Sequence, residues 1–105
     1  MNKLFYSIGE ASEIVGESPS AIRFWSNHFE RFIKPSRNAK GNRRFTEEDL
    51  EYLRQIKFLT EKEGLTLEGV EKRLVSDRKG VDRKMKAVES LRRIRAELVE
   101  VKKSL

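Results

Sequence analysis

Apolar residues recur at helical spacing along this chain, and each run is bracketed by residues that start or stop a helix. Ser7-Ile-Gly-Glu10 has the capping-box pattern, in which a hydroxyl and a carboxylate each satisfy an orphan backbone N–H. Ile14 and Val15 then run into Gly16, a residue suited to the left-handed turn that closes a short helix. Ser18-Pro19 sets a good cap before a proline at the first helical position, where its missing N–H costs nothing. Ile22, Trp25 and Phe29 follow at i, i+3 and i+7, which puts them on one face turned to the core. Thr46-Glu-Glu-Asp49 repeats the capping pattern and sets its carboxylates at the positive end of a helix dipole. The stripe Leu50, Leu53, Ile56 and Leu59, with Tyr52 beside it, predicts a helix from 47 to about 63, ended by Gly64. Thr66 opens a fourth helix, with Val70 and Leu74 on its apolar face.

Between the second and third helices the pattern changes. Pro35 and residues 36–42 block a helix. Lys40-Gly41-Asn42 can turn a hairpin, with strands near 34–38 and 43–45 and Phe45 packed in the core. The first two helices, joined by Gly16-Glu17, form a helix-turn-helix, and the hairpin after it is a wing. From Asp82 onward no breaker occurs, and Leu91, Ile94, Leu98, Val101 and Leu105 keep the 3-4-3-4 spacing of a heptad seam. Upstream the register fails at Lys84 and Ala87. The expected fold is therefore mainly α with a small β-hairpin: a winged helix-turn-helix followed by a long C-terminal coiled-coil helix.

Charge adds a partner to that picture. The net charge is +6, and residues 19–45 carry seven Lys/Arg against one acid, whereas residues 46–64 carry three against six. A localised basic patch is the footprint of a polyanion, and the ordinary alternative is a solvated face. On the second helix, Ser20, Arg23, Phe24 and Asn27 fall opposite the core face. Short polar side chains and Arg there suit a DNA major groove, since Arg can bind guanine or phosphate and Asn can read adenine. Phe24 on that outer face needs either a neighbouring element, such as the wing, or a partner to cover it. The wing carries Arg37, Lys40, Arg43 and Arg44, suited to phosphates or a narrow minor groove. One of Arg43 and Arg44 can instead pair with the acidic start of the helix after it. His28 is placed on the surface without a role.

The heptad helix is unstable alone, so it packs on a second chain or back on its own domain. Its distance in sequence from the compact part favours a homodimer, which also suits DNA half-sites about one turn apart. The division is residues 1–76 as the DNA-binding domain and 77–105 as linker and dimerisation helix. No cysteine and a single histidine exclude a thiolate or His-cluster metal site, and no nucleophile–base pair or phosphate loop is visible. No run of 18 apolar residues exists to span a membrane. The expectation is a non-enzymatic protein without cofactor or metal, in the cytoplasm and associated with the nucleoid.

Several pieces, in order over roughly residues 5–75, resemble the MerR family of bacterial transcription regulators. They are Tyr6-Ser-Ile-Gly-Glu10, Gly16-Glu-Ser-Pro-Ser-Ala-Ile-Arg23, Lys34-Pro-Ser-Arg37, Gly41-Asn-Arg-Arg-Phe-Thr-Glu-Glu-Asp-Leu50 and Glu63-Gly-Leu-Thr-Leu-Glu68. The resemblance implies that the second helix enters the major groove, that the wing contacts flanking backbone, and that the last helix pairs antiparallel with a second subunit. It assigns groove and phosphate contacts to Arg23 and its neighbours, wing contacts to Arg43 and Arg44, and a phosphate contact to Ser7. It also implies bending and untwisting of promoter DNA so that RNA polymerase finds its contact elements aligned. The chain departs from the family in Phe24-Trp25 for a pair of tyrosines, in a longer stretch to Pro35 without the common glycine, and in Asn42 for an aromatic. No effector domain is visible after the last helix, so the expectation is a regulator acting without one, or a segment of a longer chain. Two other readings are an excisionase-like architectural protein that bends DNA, and a coiled-coil adaptor with a merely solvated basic face.

Overall fold

Ser7 caps α1 (Ile8–Val15) through the reciprocal pair its sequence encodes. Its Oγ accepts from the Glu10 N–H at 3.1 Å, while the Glu10 carboxylate accepts from the Ser7 N–H at 3.0 Å. The computed structural model describes residues 4–104, with side chains through Lys103. Helix α1 closes at Gly16, whose φ of 80° lies in the left-handed region and whose N–H donates to Ser12 O at 2.9 Å. The Lys57 ammonium then donates to the carbonyls of Val15 (3.1 Å) and Gly16 (2.9 Å), a cation at the negative end of the helix.

Helix α2 (Pro19–His28) starts as the Ser-Pro pair predicts, with Ser18 Oγ accepting from Ala21 N–H at 3.1 Å. Its exit needs no glycine. The capping residue Phe29 keeps a negative φ of −104°, and its carbonyl accepts from the Ile33 N–H at 2.9 Å. Phe29 and Ile33 are both buried, so the turn is pinned by its own side chains.

Strands β1 (Ser36–Arg37) and β2 (Arg43–Arg44) pair antiparallel, with Ser36 opposite Arg44 and Arg37 opposite Arg43. They are shorter than the predicted 34–38 and 43–45. Pro35 has no N–H for a ladder, and at the other end the Asn38 N–H still donates to Asn42 O at 2.9 Å while its side chain builds the tip. Its Oδ1 accepts from the N–H groups of Lys40 (2.9 Å) and Asn42 (3.0 Å), and Gly41 takes a φ of 81°. The N-terminal segment joins at the base of the wing: Tyr6 and Phe45 exchange backbone bonds of 2.7 and 2.8 Å.

Helix α3 (Glu47–Glu61) is capped by Thr46, whose Oγ1 accepts from Asp49 N–H at 3.1 Å, while the buried Asp49 carboxylate accepts from Thr46 N–H at 3.0 Å. Its stripe Leu50, Leu53, Ile56 and Leu59 is buried, with Ile22, Trp25 and Phe29 of the α2 region and Phe45 also in the core. Thr46→Ala is expected to cost about 1 kcal/mol through the lost cap, read as a lower urea midpoint at constant slope. A midpoint within error of the wild type would show that the cap adds nothing.

Helix α4 (Leu67–Ser104) begins at Thr66, whose Oγ1 accepts from Gly69 N–H at 3.1 Å. The sequence suggested a fourth helix and then a separate long one from Asp82. Instead the helix breaks at Asp77 (φ −153°, ψ 54°) and resumes at once, because the Asp77 carboxylate accepts from Gly80 N–H at 3.1 Å and caps the next stretch. The chain divides between Val70 and Glu71 into two compact units. In the second unit Leu74, Val81 and Met85 are buried, whereas Leu91, Ile94, Leu98 and Val101 are exposed. Leu105 lies outside the described residues.

Candidate nucleic-acid interface

The outer face of α2 presents Ser20, Arg23, Phe24 and Asn27 to solvent, as the helical spacing predicts. Trp25 is buried on the opposite side. Phe24 is 53% exposed. Its ring stacks on His28, with centroids 5.8 Å apart and planes at 21°, so its neighbour is the next turn of its own helix. His28 in turn meets Phe29 edge-on at 4.9 Å.

The hairpin brings its arginines to the same side. A cleft of about 430 Å³ is lined by Ser7 and Ile8 at the start of α1, Arg23 of α2, and Arg37, Gly41, Asn42 and Arg43 of the wing. Among the described residues, no carboxylate lines it. A neighbouring recess of about 380 Å³ takes Asn27, Lys34, Arg37 and Arg43 into its lining, with Glu30. The structure thus gathers Ser7, Arg23, Asn27, Arg37 and Arg43 around adjoining concavities. Ser20, Phe24, Lys40 and Arg44 line neither.

Arg37 and Arg43 stand directly opposite each other across the two strands, a like-charge pair that works against the hairpin. Hydrogen bonds hold both in place. Arg37 Nη1 donates to Gly41 O at 2.8 Å, across the tip. Arg43 reaches back to α2: Nη1 donates to Ser26 Oγ (2.8 Å) and Arg23 O (3.3 Å), and Nη2 to Asn27 Oδ1 (2.7 Å). Burial, and then the charges of Arg37 and Arg23, push the Arg43 guanidinium below the usual arginine range. An arginine keeps its proton even so, and the cluster stays cationic.

Arg44 leaves the cleft for the N-terminal segment, where its guanidinium sits 4.3 Å above the centre of the Phe5 ring. The acidic start of α3 engages a different residue: the Tyr6 hydroxyl donates to Glu47 Oε1. That bond, and secondarily burial and the Glu47 charge, raise the Tyr6 hydroxyl above its ordinary range.

Sequence reasoning did not find Ser26 or Asn38. Ser26 is buried, accepts from Arg43 and donates to Arg23 O at 3.4 Å. Its signal was a small polar residue next to the core positions of α2. Asn38 sets the wing tip, and its signal was asparagine two residues before a Lys-Gly turn. Among the described residues, no group of His, Asp and Glu is placed to hold a metal ion, and no helix is long and apolar enough to cross a membrane.

Comparison with known proteins places this geometry. The family model of MerR helix-turn-helix regulatory proteins matches residues 6–76. The regulator protein TubY of Clostridium botulinum C phage is 37% identical over 71 residues, which are 68% of this chain and 29% of the length of that relative. The crystal structure of HiNmlR, a MerR family regulator lacking the sensor domain, bound to promoter DNA, superposes with a TM-score of 0.58 at 23% identity. The match covers 94% of this chain and 76% of that one. Helix-turn-helix, wing and long terminal helix share one fold with that regulator. The chain belongs to the MerR family of helix-turn-helix regulatory proteins.

Proposed function

We propose that this protein is a sequence-specific, double-stranded-DNA-binding transcriptional regulator. The observation that carries the proposal is the convergence of Arg23, Arg37 and Arg43 on one cleft with no carboxylate among its described lining residues. Three guanidiniums held together raise each other's energy, and a polyanion relieves that repulsion. Helix α2 presents the reading face, with Arg23 and Asn27 directed at base edges, and the wing grips phosphates beside the site. Ser7, at the exposed start of α1, is placed for a third contact with the backbone. The partner is promoter DNA, bound as a homodimer through the exposed seam of α4 and bent or untwisted in the process. Deformation of the duplex is balanced by gripping each half-site with both helix and wing. RNA polymerase, reading the deformed promoter, is the further partner of this mechanism. The work is done in the cytoplasm, on the nucleoid.

Salt tests the reading. If each protomer of a dimer neutralises three phosphates, log K against log salt should fall with a slope of about −5. The measurement is fluorescence anisotropy with duplexes selected from a random pool. A flat salt dependence, or no binding at low salt, would leave the basic face as a solvated surface and the chain as an interaction adaptor.

A further inference from the structure

We infer that Arg43 decides which bases Asn27 can read, by fixing the asparagine amide with its donor side turned away from the wing. The inference rests on the DNA-binding reading and adds a specificity rule to it.

A guanidinium has five N–H donors and no acceptor. The Asn27 atom 2.7 Å from Arg43 Nη2 is therefore the amide oxygen. Arg43 cannot follow a flip of that amide. Its other terminal nitrogen is tied to Ser26 Oγ at 2.8 Å and to the Arg23 carbonyl at 3.3 Å, and Ser26 is only 2% exposed. Turning Asn27 over would set an NH2 against the guanidinium, donor facing donor, and break the bond. The clamp therefore acts on a side chain exposed on the same face of α2 as Arg23, four residues away.

A free asparagine pairs with adenine through both ends of its amide, donating to N7 and accepting from the N6 amino group. Here adenine would have to bring its amino hydrogens to an oxygen already shared with a cation. The oxygen keeps a second lone pair, but the cation beside it weakens it as an acceptor, so the group Asn27 offers freely is its NH2, with two donors. Its complement is an edge of acceptors: guanine, with N7 and O6 side by side, or thymine, with O4. The clamped Asn27 thus selects guanine or thymine and discriminates against adenine, the base that asparagine alone prefers.

Base preferences from selection out of a random duplex pool, with competition binding, test this for the wild type, Asn27→Asp and Arg43→Ala. Circular dichroism checks that each variant is folded. Asn27→Asp keeps an acceptor for Arg43 and removes the donors. It should lose the guanine or thymine preference at one position of each half-site, by about tenfold, while preferences elsewhere persist. Arg43→Ala frees the amide, and adenine should rise at that same position, whatever the overall loss from a looser wing. Wild-type protein that binds specifically, with variants that keep its base profile or weaken evenly across all sequences, overturns the inference and leaves DNA binding intact. Wild-type protein that binds no duplex at low salt removes the DNA-binding reading itself.

Discussion

Phe45→Ala is expected to destabilise the protein by about 3–5 kcal/mol, the range for truncating a buried aromatic. Phe45 is fully buried, and its position explains why the cost should fall at the top of what the core can lose. Its backbone exchanges both bonds with Tyr6, so it carries the N-terminal segment. It directly follows β2 and precedes Thr46, the cap of α3. One side chain therefore anchors the base of the wing, the incoming chain and the start of α3. A domain of this size has only about 5–15 kcal/mol in total, so the variant should lose about a fifth of it or more. Urea denaturation followed by circular dichroism gives the number. A loss under about 1 kcal/mol would mean that the neighbours collapse into the space, and that the wing is held by its hydrogen bonds.

The parts of the fold legible in the sequence are those set by local chemistry. Ser7 with Glu10, Ser18 with Pro19 and Thr46 with Asp49 start helices where their spacing says they should, because each cap closes within three residues. The stripe from Leu50 to Leu59 is buried because helical periodicity fixes which side faces inward. The form of the break at Asp77 was not legible: the sequence put a linker from residue 77 and the long helix from Asp82, and only the bond from the Gly80 N–H to the Asp77 carboxylate restarts the helix at once. At the candidate site the periodicity found the outward residues of α2 and the charge found the wing. Neither could show that Arg43 turns back to Ser26 and Asn27, or that Arg44 covers Phe5. Those contacts join residues 16 to 39 apart, and the angle between helix and hairpin decides them.

Leu98→Glu is expected to abolish self-association and, with it, most of the affinity for a two-half-site duplex. Leu91, Ile94, Leu98 and Val101 follow heptad spacing and are 65%, 53%, 65% and 57% exposed. Four large apolar side chains on one stripe of a helix call for a cover. A second copy supplies one with the same periodicity, and each side chain fully buried would contribute about 1.5–3 kcal/mol. A glutamate at 98 would put a carboxylate into the middle of that seam, where an unpaired charge is costly. The residue lies in the second compact unit, so the stability of the helix-turn-helix core should be untouched. Sedimentation velocity at micromolar concentration should show a dimer for the wild type and a monomer for the variant. Joining two reading heads raises affinity by about 10²–10⁴ over one head, and the variant should lose a factor in that range on the two-half-site duplex while binding a single half-site as before. A wild type that is already monomeric at that concentration would refute the homodimer. A dimeric variant would place its interface elsewhere than at Leu98.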